Sequence, residues 1–247
     1  MPELTIGGLT RTFTMRFPEE RPAPLLLALH GNHPEATGEQ MREWTAFDKQ
    51  TDFAIAYPDG VGGCWADGRG VTTADEAGVD DVAFLRAIID WSAGRHGTWP
   101  DRAVVAGVSN GAFMAHRLAL EASDRVAVLA AVAGGMPASL HDTEPPHAVS
   151  ALLIHGTADP ISPIGGGFSR HLGPDGELRG RTLSLDETAS RWRAIDRCPP
   201  DGTGIGGTRV TTHIIDGGGH TWPDGTAEEV CQFAGPLLGN AETRRIS

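Results

Sequence analysis

The first place in this chain where residue type and spacing suggest covalent chemistry is Gly107-Val108-Ser109-Asn110-Gly111, a serine flanked at two residues' distance by glycines. A serine hydroxyl is a poor nucleophile until a base takes its proton, and the base needs an acid to hold it in one tautomer. Two later stretches offer those groups. Gly156-Thr157-Ala158-Asp159-Pro160 carries Asp159, and Asp216-Gly217-Gly218-Gly219-His220 carries His220. The chain order Ser, Asp, His is that of a nucleophile on a strand-to-helix turn with partners on later loops. Such a set would perform acyl transfer.

Acyl transfer also needs donors aimed at the developing oxyanion. The backbone N–H of Asn110, next after the serine, is one candidate, and the N–H of Asn32 in His30-Gly31-Asn32 is the second. Rival acids and bases fit less well. Asp216 is too near His220 along the chain to orient it, and Asp124 and Asp142 do not directly follow a late strand. His213 falls inside an expected strand and His116 inside an expected helix. His30 and His155 each precede a glycine at a strand end and are expected to hydrogen-bond their loops. His30 and His33 lack a third ligand, so no metal site is expected, and no cofactor. The glycines from Gly202 to Gly207 follow no strand and open no helix, which excludes a dinucleotide loop.

The elements that must position these residues are legible as short apolar runs between helical stretches. Strands are expected at 10–17, 24–30, 53–57, 103–108, 126–133, 151–155 and 210–215. Helices are expected at 81–91, 111–121, 185–197 and 226–238, the first capped by Asp80 or Asp81. Strands alternating with helices imply parallel β-α-β units and ligand chemistry at the carboxyl ends of the strands. A single domain over 1–247 is expected, with a Pro/Gly-rich irregular insertion at about 160–185 on the pocket edge.

The bulk numbers agree with a globular enzyme. Of 247 residues, 40% are hydrophobic and 21% charged, with a formal net charge of −12. That charge opposes a nucleic-acid surface, and no apolar run reaches the length of a membrane span. The start, MPELTIGGLTRTF, has no basic and apolar leader pattern, so a cytoplasmic location is expected unless a leader has been removed. Cys64, Cys198 and Cys231 match no zinc spacing and read as reduced thiols.

LALHG, AYPDG, CWADGRG, DVAFLRAIID, VAGVSNGAFMAHRLA, VAGGMP, IHGTADP and GGGHTWPDG occur in the order found in the polyhydroxybutyrate depolymerase and feruloyl esterase family, which this chain resembles from about Arg11 to about Gly225. The resemblance implies an α/β-hydrolase fold: a mostly parallel sheet of about eight strands flanked by helices, without a large cap domain. It implies a serine esterase acting on a small-molecule ester, including aromatic or hydroxyacyl esters, with Ser109, Asp159 and His220 as its triad. It also implies that Trp222 and Trp65 line the substrate pocket. The chain departs from its relatives at Asn32, where many carry cysteine, at Ile164, where tyrosine is common, and in the absence of a partner for Cys198. It adds Arg170, His171, Arg179 and Arg181 in the insertion, candidate receivers of an anionic substrate. An acyltransferase with the same triad, or a non-catalytic binding protein on this scaffold, are the alternatives; oligomeric state is not written in the sequence.

Overall fold

The computed structural model of the chain describes residues 1–50, 52–172, 176, 178–239 and 242–246. In chain order the elements are β1 (Glu3–Ile6), β2 (Leu9–Arg16), β3 (Leu25–Leu29), α1 (Gly38–Thr45), β4 (Ala54–Pro58), α2 (Thr73–Glu76), α3 (Asp81–His96), β5 (Ala103–Val108), α4 (Asn110–Glu121), β6 (Val126–Val132), β7 (Ser150–Gly156), β8 (Gly167–Leu172), β9 (Leu178–Thr182), α5 (Leu185–Asp196), β10 (Val210–Ile215) and α6 (Thr226–Ala234).

Eight strands form one sheet in the order β1-β2-β4-β3-β5-β6-β7-β10. β2 runs antiparallel to both β1 and β4, and from β4 onward every pairing is parallel. The central strands read as unbroken apolar runs because helices cover both of their faces. Alternate residues divide between the two sides. Leu25, Leu27, Leu29, Val105 and Leu129 pack with residues of α3, α4 and α5, such as Ile88, Leu118 and Trp192. Leu26, Ala28, Val104, Ala106 and Val128 pack with residues of α1 and α6, such as Met41 and Val230.

Helix ends follow their local chemistry. The Asp80 side chain accepts from the Ala83 N–H at 2.9 Å and caps α3, which ends on Gly97 in the left-handed conformation. Ser184 and Glu187 form a reciprocal capping box at the start of α5. The helix expected to reach residue 238 ends at Ala234, and a single 3-10 turn over Gly235–Leu237 follows. Pro236 there has no N–H for the helical ladder.

Other features also differ from expectation, β1 and α2 among them, since neither was an expected element. The stretch at 160–185 is not wholly irregular, because β8 and β9 pair as an antiparallel hairpin within it. The side chains of Arg170, His171 and Arg179 lie outside the described residues; Arg181 is exposed. α1 was absent from the periodicity. It starts at Gly38 because Thr37 caps it and because a side chain at 38 would collide with the Tyr57 carbonyl. Among the described residues, no helix is long and apolar enough to cross a membrane.

Sheet register does the positioning. Leu29 pairs with Gly107, so the chain beyond β3 (His30-Gly31-Asn32) runs beside Val108 and Ser109. Gly156 pairs with Ile215, so the loops leaving β7 and β10 emerge side by side.

Candidate active site

Ser109 alone makes the turn between β5 and α4, at φ 56° and ψ −119°. A non-glycine residue at positive φ costs on the order of 1–3 kcal/mol and persists where surrounding structure enforces it. Here the Ser109 N–H donates to the Val132 carbonyl at 2.9 Å, and its own carbonyl accepts from Ala112 and Phe113 at 2.9 and 3.1 Å. The flanking glycines permit the close approach: a β-carbon on Gly107 would strike the Gly111 carbonyl, and one on Gly111 would strike the carbonyls of Leu29 and His30.

The loops holding Asp159 and His220 are stitched together. The Thr157 N–H donates to Ile215 and the Ala158 N–H to Gly218. The Thr157 hydroxyl donates to Asp216 at 3.2 Å and accepts from the Gly217 N–H at 2.8 Å, which occupies Asp216 away from His220. Asp159 Oδ1 accepts from the amides of Ile161 and Ser162, both at 2.8 Å, leaving Oδ2 for His220 Nδ1 at 2.7 Å. Burial alone would raise the Asp159 carboxyl, but the hydrogen bonds from His220 and the two amides outweigh it and hold the group below its ordinary value. With Nδ1–H engaged by a carboxylate, the imidazole's Nε2 is left as an acceptor.

Ser109 and His220 face two cavities at once. One, of about 330 Å³, is walled by Ala36, Met41, Trp44 and Val108. The other, of about 460 Å³, is walled by Arg69, Thr73, Phe113, Ser162 and Ser169 among others. Asn32 borders both, exposed on the loop after β3. Asn110 opens α4, so its N–H has no carbonyl ahead of it within the helix. The geometry therefore brings Ser109, His220, Asp159, Asn32 and Asn110 together.

The two tryptophans lie elsewhere. Trp65 is fully buried and Trp222 6% exposed, and neither lines the two cavities at Ser109. Trp222 packs on Phe47 with ring centroids 5.4 Å apart, and Trp65 packs on His30 at 4.8 Å. The expectation that they wall the pocket is replaced by a packing role, because both indoles are buried against neighbouring elements and border neither cavity. Trp44 stands in the pocket instead, half exposed on α1. Sequence reading also missed the Asn110 side chain. Its Oδ1 accepts from the Trp65 N–H at 2.7 Å, and its Nδ2 donates to the Asp67 carboxylate at 2.6 Å.

The remaining titratable groups have local duties. His30 Nε2 accepts from the Gly60 N–H at 3.0 Å, so Nδ1 donates to the Gly31 carbonyl at 2.7 Å; both nitrogens are used. His155 Nδ1 donates to the Gly156 carbonyl at 3.1 Å. His116 is enclosed, accepting from the Trp192 indole at 3.1 Å. His213 pairs with Glu229. The three cysteines are buried and unbridged.

No protein-family model matches the chain. It is 31% identical over 258 residues to "Putative esterase NocK" of Nocardia uniformis subsp. tsuyamanensis, an alignment covering 91% of this chain and 74% of that relative. It is 25% identical over 250 residues to "Poly(3-hydroxyalkanoate) depolymerase C" of Paucimonas lemoignei, covering 87% of this chain and 59% of that one. The crystal structure of esterase PE8 superposes with a TM-score of 0.60 at 19% identity, over 92% of this chain and 99% of that one, a likeness of fold. With an eight-stranded sheet of this topology and a relative of that identity and coverage, the chain belongs to the esterase family of the α/β-hydrolase type and is a carboxylic ester hydrolase.

Proposed function

We propose that the hydrolysis runs through an acyl-enzyme on Ser109, with His220 as general base and acid and Asp159 as the group that orients it. The observation that carries this reading is the His220–Asp159 hydrogen bond of 2.7 Å on the wall of the same cavities that Ser109 faces. Ser109 Oγ attacks the ester carbonyl carbon while His220 Nε2 takes its proton. The carbonyl oxygen becomes an oxyanion and is met by the N–H groups of Asn110 and Asn32. Collapse breaks the bond to the alcohol, which leaves with the proton from His220. Water then attacks the acyl group, His220 again relays the proton, and the acid departs with Ser109 restored.

An ester has two arms, and two cavities meet at Ser109. The narrower one, walled by Trp44, Met41, Ala36 and Val108, suits a non-polar arm. The wider one, with Thr73, Ser162 and Ser169 on its wall, suits the more polar arm. The substrate is accordingly a small-molecule ester with unlike arms. A panel of esters varied separately in the acyl and alcohol parts, run on wild type and Ser109→Ala, tests this. Turnover that depends on Ser109 and prefers one non-polar arm supports it; turnover undiminished in Ser109→Ala refutes it.

A further inference from the structure

The loop from Cys64 to Gly70 takes no part in the chemistry above, yet it is tied to both halves of the proposed oxyanion site. Its anchors are polar and buried. The Trp65 N–H donates to Asn110 Oδ1 at 2.7 Å, and the Trp65 carbonyl accepts from Asn110 Nδ2 at 3.2 Å and from the Thr72 hydroxyl at 3.0 Å. The Ala66 N–H donates to Asp81 at 2.7 Å, and the Ala66 carbonyl accepts from Arg117 at 2.6 Å. Asp67, with no exposed surface, accepts from Asn110 Nδ2 at 2.6 Å and from Arg69 at 2.7–3.0 Å. The Arg69 guanidinium in turn lies 4.0 Å over the Phe113 ring, one turn along α4 from Asn110.

The same tryptophan reaches the other donor. Its indole N–H donates to the His30 carbonyl at 2.9 Å, and its ring lies against the His30 imidazole. That imidazole donates from Nδ1 to the Gly31 carbonyl at 2.7 Å. The Gly31 carbonyl and the Asn32 N–H belong to one peptide plane, so fixing the first aims the second. Burial lowers the His30 imidazole below its ordinary value, favouring the neutral ring that can both accept from Gly60 and donate to Gly31.

We infer that Trp65 is a positioning residue that sets the separation and aim of the two oxyanion donors, with Asp67 holding the Asn110 end of the bridge. The inference rests on the assignment of the Asn32 and Asn110 N–H groups made under the proposed function. Oxyanion donors contribute only when the charge has developed, so a bridge that aims them acts on kcat more than on KM.

The test uses Trp65→Phe, which keeps an aromatic ring in place and deletes the N–H to His30. Hydrolysis of 4-nitrophenyl acetate, inhibition by an aryl trifluoromethyl ketone and labelling by a fluorophosphonate are measured on folded protein. The expected result is a fall in kcat of about tenfold with KM within about twofold, and a loss of about tenfold in ketone affinity, since its serine adduct carries the oxyanion. Ser109 still takes the fluorophosphonate. A folded Trp65→Phe with wild-type kcat and wild-type ketone affinity overturns the inference, as does a rise in KM that accounts for the whole loss. If Trp65→Phe does not fold, Asp67→Asn carries the test, with the same split expected and wild-type values overturning it. Wild-type protein that takes no label on Ser109 overturns the underlying assignment instead, which separates the two failures.

Discussion

Asp159 Oδ2 and His220 Nδ1 stand 2.7 Å apart although 61 residues separate them along the chain. Parallel pairing of β7 with β10 creates that proximity, and two backbone amides on Oδ1 turn the other oxygen toward the ring. Asp159→Asn keeps the shape and offers an amide where the carboxylate stood. An amide can hydrogen-bond the wrong tautomer, leaving the proton on Nε2. We expect kcat to fall by roughly 10³- to 10⁴-fold with KM little changed. Steady-state kinetics checks this, and a loss under tenfold would contradict the role given to Asp159.

Trp44 is 51% exposed on the wall of the narrower cavity, where its half-exposed ring invites a non-polar arm. Trp44→Ala is expected to raise KM about tenfold for esters with a bulky apolar arm, the order of one covered side-chain face. Methyl acetate, too small to reach it, is expected to be unaffected. Equal losses on both would place Trp44 outside substrate recognition.

Gly111→Ala would drive a β-carbon into the Leu29 and His30 carbonyls, where α4 crosses the end of β3. Backbone cannot yield as a flexible side chain does, so destabilisation of about 2 kcal/mol or more is expected. Denaturant unfolding gives the number. A variant as stable as wild type would show that the helix can retreat from β3 without cost.

Asp196 and Asp159 are expected to pull stability in opposite directions with pH. Burial pushes the Asp196 carboxyl up to about 7 from an ordinary 3.8. Between those values the folded protein holds a proton that the unfolded chain has released, so stability declines as pH rises through the window and levels off above it. Asp159, held below its ordinary value, contributes stability at neutral pH that is lost as pH falls through its folded pKa. Asp196→Asn, still able to accept from the Val149 N–H, is expected to match wild type near about pH 4 and to gain in Tm by about pH 8. Thermal melts across that range decide it; an unchanged pH profile would contradict the buried, protonated Asp196.

Much of the frame was legible from sequence for physical reasons. Strands buried on both faces must be apolar throughout, and 103–108 and 210–215 were read to the residue. Ser109 stood out because it directly follows a strand, and Asp159 and His220 because each lies in a loop that leaves one. α1 escaped notice because its eight residues are largely polar and its first, Gly38, is a poor helix former. The β8–β9 hairpin escaped because glycines and arginines interrupt any alternation. The Trp65 and Trp222 expectation failed for a different reason. Proximity to a motif in sequence does not say which way a side chain turns, and both indoles turn inward. The Asn110–Asp67 clamp joins residues 43 positions apart, a contact no local pattern encodes.

Mass spectrometry after fluorophosphonate treatment tests the nucleophilic role of Ser109 most directly. One covalent adduct on Ser109 in the wild type, and none in Ser109→Ala, is the predicted result. An adduct that persists in Ser109→Ala, or its absence from active wild-type enzyme, would contradict the account.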